Sequence, residues 1–174
     1  MKYCAFLRGV NVNGTTMKMA EVIKVFSDSG MKEVSAVLAS GNILFSSDEN
    51  TADLQIKLEN AMSNYFSYEA FLFLRNEEEI SQILNDNPFG KAEDQHIYIF
   101  VGTEGVESLL SEEFQKSNKA ENEKAEIVAK TFYWQVPKGN TLDSDFGKIL
   151  GKKALKSQMT SRNINTFERI LKKL

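Results

Sequence analysis

The sequence predicts an α+β fold made of two halves of related topology, with antiparallel sheets that have helices packed on them. Short apolar runs of strand length alternate with apolar stripes at helical spacing. The order of these elements in the first 75 residues largely returns in the rest of the chain. A chain of 174 residues with 42% hydrophobic content is also long enough to bury a core in one domain or two small ones.

The first half opens with a strand, because Tyr3 to Leu7 is a continuous apolar run typical of a strand covered on both faces. A helix is predicted near residues 17–29, where apolar residues recur at helical spacing before a terminating glycine. Residues 34–39 and 43–46 then predict two strands. The intervening Ser40-Gly41-Asn42 is short enough to be a hairpin turn.

A helix and a strand complete the first half. The apolar stripe from Leu54 to Tyr65 predicts a helix, with Asn50 or Thr51 as its N-cap. Phe71 to Leu74 predicts a strand. The resulting order, strand, helix, strand, strand, helix, strand, is the βαββαβ order of a ferredoxin-like unit. We therefore predict a first ferredoxin-like half over residues 1–75.

The second half, residues 76–174, repeats much of that order. Asn76 and the three glutamates after it predict a short connecting helix. The further elements are a strand at 97–101, a helix from Val106 to Phe114, a hairpin of 126–129 with 132–136, and a helix around 146–150. A last helix, from about Asn163 to Leu174, stands where a fourth strand would be. This half is thus predicted as a ferredoxin-like βαββα unit plus a C-terminal helix.

Composition limits the function classes. The start of the chain is too short and too interrupted in its apolar run for a signal peptide or membrane span, so a cytoplasmic location without a membrane partner is expected. Cys4 is the one cysteine, which excludes an intramolecular disulfide and a cysteine-based metal site. His96 is the one histidine, and nothing in the sequence pairs it with a nucleophile. No metal and no cofactor are expected, and no catalytic acid, base or nucleophile can be assigned.

Charge is distributed unevenly along the chain. Gly147 to Leu174 contains eight basic residues and one acidic residue, a net charge of +7, whereas the remaining chain carries −10. This asymmetry argues against duplex binding over the whole surface but allows a local basic face. In the segment Phe132 to Trp134, one face of the strand should be core, and an exposed ring on the other face could stack on a base.

Candidate site residues fall in three polar clusters at the edges of apolar segments: residues 8–14, residues 40–42 and residues 161–166. Guanidinium and amide groups, together with glycines that let backbone N–H groups approach a ligand, suit a polar or anionic guest. The candidate ligand-binding residues are Arg8, Asn11, Asn13, Gly14, Ser40, Gly41, Asn42, Arg162, Asn163, Asn165 and Thr166.

Topology relates the first two clusters. A right-handed crossover makes the first two strands parallel, so residues 8–14 and 40–42 are predicted to be neighbours at one edge of the sheet. The alternative is that these asparagines merely hold turns. In the third cluster, Ser161 or Asn163 can cap the last helix. Arg162 beside the positive helix end calls for a negative partner, either a ligand or an acidic side chain such as Asp143 or Asp145.

A family resemblance joins these clusters. The segments FLRGVNVNGTTMKMAEV and SGNILF, the tripeptide Asn87-Pro88-Phe89 and the closing TSRNINTFERILKKL resemble, in order and spacing, a bacterial family known as domain of unknown function 1697. The resemblance implies an α+β structure with ferredoxin-like halves and brings no established activity. The chain departs from the family pattern at Asn13, at Ile164 and over residues 142–146.

Two hypotheses of function remain. The first is a binding protein, or the binding half of an enzyme, that holds a phosphate- or carboxylate-bearing small molecule at converging clusters. The second is a nucleic-acid-associated module that uses the basic C-terminal segment.

Overall fold

A computed structural model of the chain describes residues 1–12 and 15–174, with the side chains of residues 11, 12 and 15 outside this description. The chain forms two compact units. The first unit comprises Met1–Ser81 and Glu168–Leu174, and the second comprises residues 82–167. Among the described residues, no helix has the length and apolar character required to cross a membrane.

The first unit contains a four-stranded antiparallel sheet and two helices. In chain order, its elements are β1 (Lys2–Arg8), β2 (Asn11–Val12), β3 (Thr15–Thr16), α1 (Met19–Asp28), β4 (Lys32–Ala36), β5 (Asn42–Ser46), α2 (Thr51–Phe66) and β6 (Phe71–Asn76). The strands of the main sheet lie in the order β4-β5-β1-β6, and β2 pairs only with β3. This is the strand order of a ferredoxin-like unit and confirms the prediction for this half.

The core of the first unit lies between the sheet and its two helices. Alternate residues of β1 point into it, so Tyr3, Ala5 and Leu7 are all buried there. The helices contribute buried residues at helical spacing, including Phe26 from α1 and Leu58 from α2. Asn50 is the N-cap of α2, as predicted, because its Oδ1 accepts a hydrogen bond from the backbone N–H of Asp53 at 3.0 Å.

The next helix, α3 (Glu77–Asn85), follows β6 without an intervening loop. The elements of the second unit after it are β7 (Gln95–Gly102), α4 (Val106–Lys116), β8 (Lys124–Val128), β9 (Thr131–Pro137), two 3-10 helices at Gly147–Gly151 and Lys153–Leu155, β10 (Met159–Asn163) and the start of α5 (Ile164–Leu171). The strand order is β10-β7-β9-β8, again the ferredoxin-like order.

Two elements of the second half differ from the sequence prediction. The segment around Phe146 to Leu150 forms a 3-10 helix instead of an α-helix. The sequence predicts no fourth strand in this half, but the structure has one, β10, which pairs antiparallel with β7. Strand β10 lies at the edge of the sheet and has one neighbouring strand. Backbone hydrogen bonds to β7 form it, so its sequence does not need a clear apolar alternation.

Candidate functional site

The described start of the first polar cluster, at the end of β1, lies beside the second cluster, as the sequence predicts. Strands β1 and β4 are both antiparallel to β5, so they run parallel and end at the same edge of the sheet. The backbone N–H of Leu7 donates a hydrogen bond to the carbonyl of Gly41 at 2.8 Å. The backbone at residues 40–42 is therefore held directly against the end of β1.

Close packing explains the glycine and asparagine of the second cluster. Gly41 has φ of +79°, and a Cβ at this position would lie 2.9 Å from Leu7 Cβ and would also clash with the side chain of Val10. Asn42 is fully buried, and its Nδ2 donates to the carbonyl of Val37 at 2.9 Å and to Ser40 Oγ at 3.0 Å. These contacts stabilise the loop that joins β4 to β5.

The first cluster is described in part. Arg8 is half-buried as the last residue of β1, and this burial lowers the pKa of its guanidinium. The backbone of Asn11 pairs with Thr16 between β2 and β3. Asn13 and Gly14 lie outside the described residues. A role for these four residues in ligand binding stays a prediction.

The structure separates the members of the third cluster. Arg162 is half-buried on β10, and its Nη1 donates to Thr160 Oγ1 at 2.7 Å and to the carbonyl of Ser161 at 2.9 Å. Asn163, the next residue of the strand, points to the opposite face of the sheet. Thr166 is buried in α5, whereas Asn165 is exposed. Of these residues, Asn163 and Asn165 share a cleft.

This feature, which we call the Asn163 cleft, lies within the second unit and has a volume of about 120 Å³. It forms where β7 begins and where β9 and β10 end, because both of these strands are antiparallel to β7 and meet at one edge of the sheet. Its lining residues are Lys91, Ala92, Gln95, His96, Ile97, Lys138, Asn163, Ile164 and Asn165. The cleft therefore combines two cationic side chains, an imidazole and three amides.

Asn163 connects the cleft to the start of α5. Its Oδ1 accepts a hydrogen bond from the backbone N–H of Asn165 at 3.0 Å, so Asn163 is the N-cap, whereas the sequence left Ser161 and Asn163 as alternatives. This bond orients the amide so that Nδ2 lies 3.2 Å from His96 Nδ1. Because an amide nitrogen donates, the ring Nδ1 accepts, and the imidazole proton resides on Nε2.

The protonation of His96 is set by its surroundings. Burial lowers its pKa, and the positive charge of Lys138 lowers it further. A neutral imidazole at pH 7 agrees with the acceptor role of Nδ1 towards Asn163. His96 therefore has an N–H donor at Nε2 without carrying a charge.

Gln95 has an unsatisfied polar atom among the residues that line the cleft. Its Oε1 is buried and has no hydrogen-bond partner among the described residues. A buried acceptor without a donor costs about 1–3 kcal/mol. The side-chain Oδ1 of Asn165, in contrast, accepts a long hydrogen bond from Lys91 Nζ at 3.4 Å.

Sequence reasoning identified Asn163 and Asn165 but missed Lys91, Gln95 and Lys138. Lys91 precedes β7, Gln95 is the first residue of β7, and Lys138 follows β9. Polar side chains are common at the ends of strands, so these residues do not stand out in the sequence. Only the antiparallel pairing of Gln95 with Pro137 shows that Lys138 lies beside the start of β7. A search for polar residues at the ends of strands predicted to be antiparallel could have found them.

Two further expectations concern nucleic acid. The possibility that an exposed ring of β9 stacks on a base does not hold, because Phe132, Tyr133 and Trp134 are all buried and the Tyr133 hydroxyl donates to the carbonyl of Ile83 at 2.7 Å. Within the basic C-terminal segment, Lys148 pairs with Asp145 at 3.4 Å and Lys152 pairs with Glu113 at 3.3 Å. Asp145, one of the two acids considered as partners for Arg162, thus pairs with Lys148.

Metal chemistry has no suitable cluster in the part of the chain that the structure describes. There, no group of three or more histidine, cysteine, aspartate or glutamate side chains is placed to hold a metal ion. Glu123, a buried carboxylate of the second unit, accepts from Trp134 Nε1 at 3.0 Å and from the backbone N–H of Ala120 at 3.0 Å. It holds a loop in place.

The fold and the cleft define the class of protein: an α+β protein of two ferredoxin-like units with a small basic cleft at one sheet edge. The chain belongs to the family described as "Protein of unknown function (DUF1697)", whose model matches residues 1–133. The match includes Lys91, Gln95 and His96 of the cleft, while Lys138 and Asn163 lie beyond it.

A solved structure has the same fold. The chain is similar to the conserved bacterial protein SP0830 from Streptococcus pneumoniae, with a TM-score of 0.78 at 22% sequence identity. The similarity covers 98% of this chain and 97% of that one, and it shows the fold. No curated protein matches the chain.

Proposed function

We propose that the protein binds a small oxyanion, a carboxylate or a phosphate, in the Asn163 cleft. The observation that carries this proposal is the gathering of Lys91, Lys138 and His96 around one cleft of about 120 Å³. Charged ammonium groups and an imidazole N–H are the donors that bind carboxylate and phosphate oxygens most strongly.

Electrostatics favour an anion over a neutral or cationic guest. Lys138 forms no ion pair with another described residue, and its charge lowers the pKa of His96. The start of α5, capped by Asn163, adds the positive end of a helix dipole. An anion in the cleft would be attracted by all of these groups at once.

The affinity should be modest. Both lysines are exposed, so water and salt screen their charges. The volume is also well below the roughly 300–1,000 Å³ of sites for drug-sized ligands. We expect one acidic group, or the acidic end of a longer molecule, to bind with a dissociation constant on the order of 1 mM.

The single histidine provides the test. The ring resonances of His96 are recorded by NMR while sodium phosphate or sodium acetate is added at constant ionic strength. We expect a saturable shift and a rise in the pKa of His96, because a bound negative charge favours the imidazolium form. Replacement Lys138→Gln should weaken binding roughly threefold to tenfold.

The matched control is Lys130→Gln, which removes an exposed lysine of the same unit that pairs with Glu104 at 3.5 Å. This variant should bind both anions like the wild type. Shifts that fail to saturate, or equal weakening by the two lysine replacements, would contradict an anion site at the Asn163 cleft. An RNA oligomer that binds in a salt-dependent manner, and is weakened by Lys153→Gln without any response of His96, would instead support the nucleic-acid hypothesis.

A further inference from the structure

The outer edge of β8 forms a surface that is complementary to itself. We propose that two copies of the chain pair antiparallel through β8 and so join the sheets of their second units into one. This pairing is independent of the Asn163 cleft and of the anion proposed for it. It follows from the course of the β8 backbone and from the charges along the strand.

Strand β8 has a regular free edge. Among the described residues, it is the outermost strand of its sheet and pairs with β9 alone. This pairing covers all five residues of β8 without a register shift. In contrast, β4, an outer strand of the first unit, has a register shift between Lys32 and Ser35. Such irregularities protect an edge against pairing with another strand, and β8 has none.

The turn after β8 determines which backbone groups lie at the free edge. The two residues that join Val128 to Thr131 have φ of 45° and 64°, as in a type I′ hairpin turn. Val128 and Thr131 are therefore a hydrogen-bonded pair, and such pairs alternate along the strand. The N–H and C=O groups of Ala125 and Ile127 consequently point away from β9 and can bond to a further strand.

The charges of β8 favour one register for a second copy. With Ala125 opposite Ala125 of the second copy, Lys124 lies opposite Glu126 of that copy, and the twofold symmetry repeats the pair. This is a non-hydrogen-bonded position, where facing side chains are closest. Both side chains are exposed, and neither forms an ion pair with another described residue. Opposite charges across a strand pair stabilise it.

The neighbouring registers bring like charges together. Opposing Ala125 to Ile127 would place Glu126 opposite Glu126. Opposing Ile127 to Ile127 would place Lys124 opposite Lys130. Like charges directly across a strand pair are destabilising. Shifts by a single residue fail for another reason, because the backbone groups that point outward would no longer meet.

The dimer should be weak. The paired strand has five residues, and its one large apolar side chain at the edge, Ile127, is 41% exposed. This contact is much smaller than a standard interface, which buries about 800 Å² per partner. We expect a dissociation constant on the order of 0.1–1 mM at low salt.

Charge reversal tests the register. Sedimentation equilibrium of the full chain at low salt measures the dissociation constant. Lys124→Glu opposes acidic side chains and Glu126→Lys opposes basic ones, so each should weaken the dimer roughly tenfold. An equimolar mixture of these two variants should associate like the wild type, because opposite charges then face each other. The double variant Lys124→Glu/Glu126→Lys should dimerise like the wild type for the same reason.

The matched control is Lys130→Glu, which changes the net charge of the chain as much as Lys124→Glu does. Lys130 lies in the turn beyond the paired residues, so this variant should change the dissociation constant by less than about twofold. A tighter dimer of Lys130→Glu would instead indicate the register with Ile127 opposite Ile127 and would overturn the one proposed.

Other outcomes would overturn the pairing itself. These are a wild type that stays monomeric at about 1 mM, and a mixture of the two reversed variants that does not associate. Hydrogen exchange gives an independent measurement on the wild type. The backbone N–H of Ala125 should exchange freely in dilute protein and become protected as the dimer forms. Protection in the dilute monomer would mean that something else already covers the edge, which also contradicts the proposal.

Discussion

The two units have the same strand order but place polar residues at opposite ends of their sheets. In the first unit, residues 40–42 lie where β1 ends, and Gly41 is hydrogen-bonded to Leu7 at that edge. In the second unit, the cleft lies where β7, the corresponding first strand, begins. The two units therefore have polar residues at different edges of sheets with the same strand order, and an asparagine makes different contacts at each edge.

Asn42 and Asn163 show the difference most clearly. Asn42 is fully buried, and its amide stabilises a loop by bonding to Val37 and Ser40. Asn163 is half-buried, and its amide connects a helix start to the imidazole of His96. An asparagine beside a glycine or serine thus does not by itself mark a ligand site, because Asn42 serves to hold its loop.

The largest expected effect tests the packed edge of the first unit. We expect Gly41→Ala to lower the free energy of unfolding by about 3 kcal/mol or more, because it combines a left-handed backbone with overlap against Leu7 and Val10. Gly30→Ala is the matched control. Gly30 has a similar φ of +89°, but the nearest atom to an added Cβ is Lys57 Nζ at 3.9 Å, so only about 1–2 kcal/mol should be lost.

Urea unfolding of both alanine variants measures this difference. Equal losses would mean that the left-handed backbone alone accounts for the glycine, and that the edge is less tightly packed than the contacts of Gly41 indicate.

The next effect contrasts the two asparagines. Asn42→Ala should cost about 2 kcal/mol, since it leaves the buried carbonyl of Val37 without the side-chain donor. Asn163→Ala should cost about 1 kcal/mol through loss of the α5 cap, yet weaken acetate binding several-fold. Urea unfolding and the NMR shift of His96 measure the two quantities. The contrast between the units breaks down if Asn42→Ala is the variant that impairs acetate binding while Asn163→Ala leaves it intact.

The smallest effect concerns pH. Because the folded pKa of His96 lies below the ordinary value of about 6.5, the unfolded chain takes up this proton first as pH falls. The contribution of His96 to stability is therefore complete above about pH 6.5 and declines as pH falls towards the folded pKa. Lys138→Gln should raise the pKa of His96 towards its ordinary value and reduce this decline.

NMR titration of the imidazole in wild type and Lys138→Gln measures the two pKa values. A folded pKa that is unchanged by Lys138→Gln would show that burial alone lowers it and would weaken the case for an uncompensated charge in the cleft.

Periodicity in the sequence was sufficient for most of the fold. Strand β1 and helix α2 carry strong patterns, so their existence followed directly, and the parallel course of β1 and β4 placed the first two clusters together. Strand β10 was missed because Met159 is its one apolar residue ahead of Thr160 and Ser161, too little for an alternation. The pairing of an edge strand depends on its neighbour in the sheet, so the sequence of the strand itself gives little indication of it.

The candidate site was predictable only in part. Asn163 was identified because a cap at a helix start is a local pattern, visible in a few residues. Lys138 and Gln95 lie close together because of the register in which β7 pairs with β9, and no local sequence pattern indicates this proximity. The side-chain oxygen of Gln95 is buried without a partner among the described residues, and the burial of a single atom is not encoded in any short motif.

Asn163 is both the last residue of β10, opposite Tyr98, and the N-cap of α5. A shift of one residue in the pairing of β10 with β7 would turn the side chain of Asn163 to the other face of the sheet. The backbone N–H of Asn165 would then lose its acceptor, and His96 Nδ1 would lose the amide that donates to it. Sheet register and imidazole tautomer are therefore locked to each other. Protection of the backbone N–H of Asn165 against hydrogen exchange would report on the register and on the tautomer. A defect in the pairing of β10 would therefore also change the proton position on the imidazole of His96.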